Sequence, residues 1–442
     1  MKPIAQFRIQ SCLPLTMCGV MAFAGPTSSA HESHPPVAPT KSSRSVDPMS
    51  AEDSRSRAVF KDGKFISPFG SPEKTFGSFL KWQWQRLFTN PKAQWPDWVG
   101  SEFEFKGLPK LAAGEVDVTF INHATVLIRV GLNESAGQAS SNEFRILTDP
   151  IWSHRASPVS FLGPARVRPP GVSWDQLPKI DLVVVSHNHY DHFDLPTLRR
   201  LSERDRPQFL VPLGDAELLR DHGVQRVREM DWWEVEDFEW SPGHAQTETS
   251  TETPTKKQTQ APTEARTDAR TDARTETRAD MRIEAQFVPA HHWSARGMTD
   301  RLRSLWGGFA FKIQTRTGET KIFFAGDTGY ASHFTELREV WGVPDLAILP
   351  VGAYEPRWFM QAAHMNPSDA VKAALDLQAR QVLAIHYRCF QLTDESMEQP
   401  ELDLRLALTE MQFADEKFWR LKEGETRRVN AQPVREKNKP DR

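Results

Sequence analysis

Six consecutive residues, His187-Asn188-His189-Tyr190-Asp191-His192, put four side chains that bind metal ions into one short stretch. They follow directly on Asp181-Leu182-Val183-Val184-Val185-Ser186, a short β-branched run bounded by polar residues, which reads as a buried strand covered on both faces. If the chain stays extended just past that strand, His187 and His189 point the same way and both imidazoles can bind one ion. Asp191 and His192 then sit a turn further on, where hard carboxylate oxygen beside borderline imidazole nitrogen suits a second ion. A lone His-x-His pair is commonly a solvated loop or a satisfied core histidine. Four ligand types in six residues at a strand end are much harder to explain that way.

The same grammar repeats downstream. Phe287-Val288-Pro289-Ala290 runs into His291-His292, Lys321-Ile322-Phe323-Phe324-Ala325-Gly326 into Asp327, and Gln381-Val382-Leu383-Ala384-Ile385 into His386. Strands that end at one edge of a layered α/β fold bring residues distant in sequence into one cleft. Earlier in the chain, Val116 to Val130 reads as two paired strands broken near His123 and Ala124, and Phe144 to Thr148 as another that ends at Asp149. For His123 and Asp149, turn-capping and a place beside the metal cleft both fit.

His-x-His-x-Asp-His after a strand, followed by a distant His, an Asp and a last His, resembles the metallo-β-lactamase superfamily of binuclear zinc hydrolases. Closer still, Ser186 to Asp194 (SHNHYDHFD), Asp231-Trp232-Trp233-Glu234, Pro289 to Trp293, Leu305-Trp306-Gly307, Phe323 to Tyr330 (FFAGDTGY), Gly352 to Met360 and Ala384-Ile385-His386 resemble the N-acyl-phosphatidylethanolamine-hydrolysing phospholipase D family. The similarity runs over roughly residues 95 to 425 with one interruption. It implies an α/β fold, the αββα sandwich, as a single catalytic domain, and two Zn2+ ions per chain. It implies that His187, His189 and His292 hold the first ion, Asp191, His192 and His386 the second, and that Asp327 bridges them. Catalysis would rest on Asp191, Asp327 and Asp149, with Tyr190 and His364 touching a phospholipid substrate. His291 is the alternative to His292, which is preferred because the family pattern places the ligand immediately before Trp293. The family commonly has Trp-Gly after the last ligand histidine, whereas Tyr387-Arg388 stands here. Arg388 either clamps a phosphate oxygen or points into solvent.

The rest of the chain must position these residues. Its 442 residues would make about three domains at ~150 each, but that prior is soft for α/β enzymes. Expected are a secretory leader over 1–30, a disordered linker over 31–59, an N-terminal arm over 60–110, the hydrolase domain over 111–427 and a charged tail over 428–442. Lys2 and Arg8 precede an apolar stretch from Cys12 to Ala24, with Ala22-Phe23-Ala24 or Ser28-Ser29-Ala30 as cleavage sites. Two of three cysteines lie there, and Cys389 reads as a small packed side chain. In the arm, residues 81 to 99 mix Trp82, Trp84, Phe88, Trp95 and Trp98 with Lys81, Arg86 and Lys92. This composition suits a membrane surface and equally an arm docked through its aromatics. Within the domain, 241–282 turns to Thr, Glu, Gln, Ala and Arg, including the near-repeat TEAR-TDAR-TDAR-TETR. Almost nothing apolar is present, so a disordered insertion is expected.

A net charge of −3 gives no field for nucleic acid, which is not expected as a partner. Competing readings are a lactonase, a β-lactamase or another ester hydrolase on the same fold, and a non-enzymatic envelope protein, which would be expected to have lost ligands. The leader places the protein in the periplasm or envelope; the alternative is a cytoplasmic, membrane-peripheral enzyme. Mass spectrometry of the mature amino terminus is expected to find it between residues 25 and 31. An intact Met1 on cytosolic protein would refute export.

Overall fold

The computed structural model describes residues 55–70, 76–133, 143–240, 279–297, 299–430 and 432–433. The expected leader, most of the linker and tail, and all but the last few residues of the insertion lie outside them. An N-terminal hairpin, β1 (Val59–Lys61) and β2 (Lys64–Ile66), leads to helix α1 (Phe76–Phe88). The first half of the domain runs β3 (Val116–Asn122), β4 (Thr125–Gly131), β5 (Glu143–Thr148), β6 (Leu182–Val184), α2 (Leu195–Arg204), β7 (Gln208–Pro212), α3 (Ala216–Asp221) and β8 (Val227–Met230). The second half runs β9 (Val235–Trp240), β10 (Met281–Val288), β11 (Gly308–Thr315), β12 (Gly318–Phe324), α4 (His333–Trp341), β13 (Leu346–Pro350), α5 (Arg357–Met360), α6 (Pro367–Asp376), β14 (Gln381–Ile385), α7 (Gln399–Glu410), β15 (Phe418–Trp419), β16 (Thr426–Val429) and β17 (Gln432–Pro433).

Two sheets result. One has the order β16-β3-β4-β5-β6-β7-β8 and the other β15-β14-β13-β12-β11-β10-β9, with β17 added to β12. Each is antiparallel in one half and parallel in the other. The parallel halves need helical crossovers, and these supply the outer layers. Strand β6 shows how the sequence specifies the layering: Leu182 and Val184 enter the core between the sheets, while Val183 and Val185 pack outward among Leu198, Leu201 and Leu219 of α2 and α3. Both faces of the strand are covered, so the apolar run is continuous rather than alternating. Sheet two repeats this, with Ile322 and Phe324 inward and Phe323 outward against Phe334 and Leu337 of α4. The four layers are the expected αββα sandwich.

Three boundaries differ from expectation. Met281 and Arg282, assigned to the insertion, open β10, because Met281 is buried and pairs with both Trp240 and Thr315. Arg428 and Val429, assigned to the tail, pair with Asp117 and Val116 in β16. Residues before 60 already pack: Trp233 Nε1 donates to Ser56 O at 2.8 Å. At α6, Asn366 caps the helix by accepting from Asp369 N at 2.8 Å, and the Asp369 carboxylate accepts from Arg357 Nη2 at 2.6 Å.

The arm contains a helix that aromatic content alone did not reveal. One face of α1 docks: Trp82 is buried, its Nε1 donates to Asp394 Oδ2 at 2.6 Å, and Arg86 pairs with the same carboxylate at 2.9 Å. The opposite face, Leu80, Trp84, Leu87 and Phe88, follows helical spacing and is 50–72% exposed.

The ends of the insertion are already neighbours, since Trp240 pairs with Met281 and Asp280 N donates to Trp240 O at 2.9 Å. Replacing residues 242–278 with a short Gly-Ser turn is therefore expected to shift Tm by less than about 4 °C, roughly 1 kcal/mol for a domain above 150 residues. A larger loss in a thermal melt would mean that the segment packs on the domain.

Candidate metal centre

Each ligand segment leaves the carboxyl end of a strand at one edge of the sandwich, the place where layered α/β folds form their clefts. Gly326 lets the two sheets meet there. Its φ is +60°, and a Cβ on it would lie 2.5 Å from Ser186 Cβ, so only glycine allows the end of β12 to reach the end of β6. His123, Asp149 and His386 also have positive φ, at 46°, 35° and 65°. Three non-glycine residues in this region within one site are strain held by the surrounding packing.

The first cluster is His187, His189 and His292. His187 Nε2 lies 2.9 Å from His189 Nδ1, and His292 Nε2 lies 3.2 Å from the same atom. The far side of two rings fixes the tautomer. His187 Nδ1 faces Ser186 Oγ at 2.9 Å and His292 Nδ1 faces the Ala363 carbonyl at 2.8 Å, so both carry their proton there. Two Nε2 lone pairs therefore converge on a third ring nitrogen, an arrangement that a cation satisfies. Burial holds His187 and His292 well below the usual imidazole range, which keeps them neutral and able to ligate.

The second cluster adds carboxylates. Asp191 Oδ2 lies 3.3 Å from Nε2 of both His192 and His386, and Asp327 Oδ2 lies 3.2 and 3.1 Å from them. Burial disfavours the imidazolium form here too, but the Asp327 and Asp191 carboxylates outweigh it and push His192 well up and His386 up to about 9. Two buried carboxylates need positive charge, which protons or a metal ion can supply. Asp327 also groups with His292 and His364, with ligand atoms within 4.8 Å of one another, so it touches both clusters. Its Oδ1 is buried without a hydrogen-bond partner among the described residues, as an oxygen reserved for a cation would be. The donor sets fit two divalent ions.

Around the ligands, Asp149 accepts from His192 Nδ1 at 2.6 Å, from Ser186 N at 2.7 Å and from Ser186 Oγ at 2.6 Å. It is a positioning residue that orients His192 directly and His187 through Ser186. His123 plays the same part for Asp191: its Nε2 lies 2.9 Å from Asp191 Oδ2, and burial, then the neighbouring His386, lower its pKa to about 3. His123 also occupies the β3–β4 turn, but its ring bonds Asp191 and not the turn's own backbone. Ser186 was not singled out, although it stands directly before His187.

His291 takes no part in either cluster; its ring lies 6.4 Å from Phe69. His364 stands beside Asp327, with Nδ1 3.7 Å from Oδ2, and is held by Arg357 Nη1, which donates to its carbonyl at 2.9 Å. The Tyr190 hydroxyl donates to Arg296 O at 2.8 Å, so its donor is used within the chain. Arg388 neither faces the cleft nor solvent: its guanidinium pairs with Glu401 at 2.7 Å and with Glu102. Acidic partners remote in sequence decide this, and neither is visible from the residues beside it. Cys389 is buried, which pushes its thiol up to about 12.

The sequence model of the family described as a beta-lactamase superfamily domain matches residues 144–387, more than half of the chain. The chain belongs to this superfamily. Two relatives are similar to it: N-acyl-phosphatidylethanolamine-hydrolyzing phospholipase D 1 of Caenorhabditis elegans, 31% identical over 62% of this chain and 64% of its own, and the mitochondrial N-acyl-phosphatidylethanolamine-hydrolyzing phospholipase D of Saccharomyces cerevisiae, 32% identical over 62% and 50%. The matches thus span between half and just under two thirds of these relatives. Among solved structures, the metallo hydrolase Igni18 of Ignicoccus hospitalis aligns with 72% of this chain and 100% of its own at 18% identity and a TM-score of 0.42. The superfamily domain thus carries His/Asp clusters that could hold divalent metal.

Elemental analysis after dialysis is expected to give about two divalent ions per folded chain. His292→Ala should lose metal and His291→Ala should not; the reverse order would reassign the ligand. Asp149→Asn should keep the fold and weaken metal binding roughly 10- to 100-fold, and unchanged affinity would remove Asp149 from the orienting role.

Proposed function

We propose that the protein is a zinc-dependent phosphodiesterase of the phospholipase D type, hydrolysing N-acyl-phosphatidylethanolamine or a related phospholipid to phosphatidic acid and an N-acylethanolamine. The observation that carries this reading is Asp327, which joins a three-imidazole cluster to one made of carboxylates and imidazoles. The names of the two relatives supply the lipid. Two zinc ions in these donor sets would provide a nucleophile at neutral pH and stabilise charge on the attacked group.

The chain's own residues then hold and orient. Ser186 and Ala363 keep His187 and His292 in the ligating tautomer, Asp149 does so for His192, and His123 aims Asp191. His364, next to Asp327 and 8% exposed, faces the place where a phosphate oxygen would sit. Water adds to phosphorus, the bond from phosphorus to the N-acylethanolamine oxygen breaks, and that oxygen takes the proton. The exposed face of α1 supports contact with a bilayer. Leu80, Trp84, Leu87 and Phe88 form an apolar stripe, with Lys81 beside it over the Trp358 ring at 4.6 Å. Lys81 thus links α1 to helix α5, which ends four residues before His364. Among the described residues no helix is long and apolar enough to cross a membrane. The leader expected from the sequence supports an exported, envelope-associated enzyme.

Turnover compared on N-acylated phospholipid, plain phosphatidylethanolamine, a lactone, a β-lactam and a soluble phosphodiester is expected to show chelator-sensitive release of N-acylethanolamine. Activity confined to the lactone or β-lactam would overturn the substrate while leaving the metal centre. Leu87→Asp with Phe88→Asp should reduce sedimentation with anionic vesicles and lipid turnover, with soluble phosphodiester turnover unchanged.

A further inference from the structure

Residues 188 to 193 form the turn that carries three of the metal ligands, and its own hydrogen bonds are few. His192 N and Phe193 N both donate to His189 O, at 3.1 and 2.8 Å. What closes the turn comes from elsewhere. Arg296 Nη1 donates to Asn188 O at 2.9 Å and to Phe193 O at 3.0 Å, bridging the two ends of the turn. The guanidinium lies 4.1 Å from the Tyr190 ring centroid and 5.0 Å from that of Phe193. Tyr190 completes the circuit, since its hydroxyl donates back to Arg296 O at 2.8 Å.

The segment holding Arg296 is itself fixed. Asp300 accepts from Arg296 N at 2.9 Å and from Gly297 N at 2.8 Å. On the other side of the turn, the Asn188 amide donates to the buried Asp215 at 3.0 Å. Arg296 stands four residues after His292, so one side chain ties the strand end that supplies His292 to the turn that supplies His189, Asp191 and His192.

We infer that Arg296 and Tyr190 form a clamp that positions the ligand turn against His292. The inference rests on the metal-centre reading. Its chemistry is specific to arginine. A planar guanidinium can bond two carbonyls in its plane while its faces meet aromatic rings, whereas an ammonium is a strongly hydrated point charge. Because the acceptors are main-chain carbonyls, the clamp fixes backbone rather than any one ligand, and loosening it should move His189, Asp191 and His192 together.

The test uses the full chain loaded with cobalt(II), whose visible absorption reports ligand geometry. In Arg296→Lys the cobalt spectrum is expected to change and metal affinity to fall roughly 10- to 100-fold, the usual effect of removing a group that orients ligands. Tyr190→Phe, which keeps the ring and loses only the returning hydroxyl, should change both in the same direction and lower kcat. Folded Arg296→Lys with the wild-type spectrum and affinity would overturn the clamp. So would a Tyr190→Phe enzyme whose cobalt spectrum and affinity are untouched, because the returning hydroxyl would then hold nothing in the turn. Should Arg296→Lys fail to fold, Tyr190→Phe decides by the same two readouts. A wild-type chain that takes up no cobalt would overturn the metal-centre reading itself, and the clamp with it.

Discussion

The site depends on one buried carboxylate. Asp149 is fully enclosed at the end of β5, and a charge in that position is costly unless several donors surround it. The Ser186 amide, the Ser186 hydroxyl and the His192 ring supply them, all within 2.7 Å. Burial still raises its pKa against these bonds. The geometry follows from the sheet. Parallel pairing aligns Thr148 with Val184, which places Asp149 beside the residues that leave β6. Strand register thereby becomes ligand orientation, since Asp149 fixes one nitrogen of His192 and, through a hydroxyl, one of His187.

The two halves of the sandwich contribute differently. Sheet one supplies the ligand turn and Asp149, and sheet two supplies His292, Asp327 and His386. Neither sheet holds a complete donor set, so the site exists only where the sheets pack. Gly326 is one close approach between them, and the Gly307 N–H bond to Ser186 O at 3.0 Å crosses there as well. A change in core packing between the sheets would therefore be felt as a change in the distance between ligands, because close-packed interiors transmit strain.

The ligands were legible in the sequence because each is a polar residue attached to a short apolar run, and strands of a layered fold end at a common edge. His292 over His291 required the family pattern, since two adjacent histidines have no periodicity to separate them; in space one faces the cluster and the other Phe69. Contacts made across the chain were illegible. Arg388 meets Glu102 and Glu401, and Arg296 meets the turn at Asn188, about a hundred residues away. The arm was only partly legible, for a different reason. Its aromatics serve two opposed faces of one helix, Trp82 inward and Trp84 outward, and composition without phase cannot divide them.

Charge is divided unevenly between the two clusters. The first cluster is three imidazoles, and burial keeps at least His187 and His292 uncharged. The second brings Asp191 and Asp327, with Asp149 just behind. On the proposed loading, two dications against these three carboxylates leave a formal excess of positive charge in a buried cleft, where the effective dielectric is far below that of water. A monoanionic phosphate would balance that excess, and a lactone or amide would not. The partition of charge between the clusters also gives them separate tasks. The ion among neutral imidazoles keeps more of its charge for polarising water, while the one among carboxylates is better suited to accept and release an anionic group.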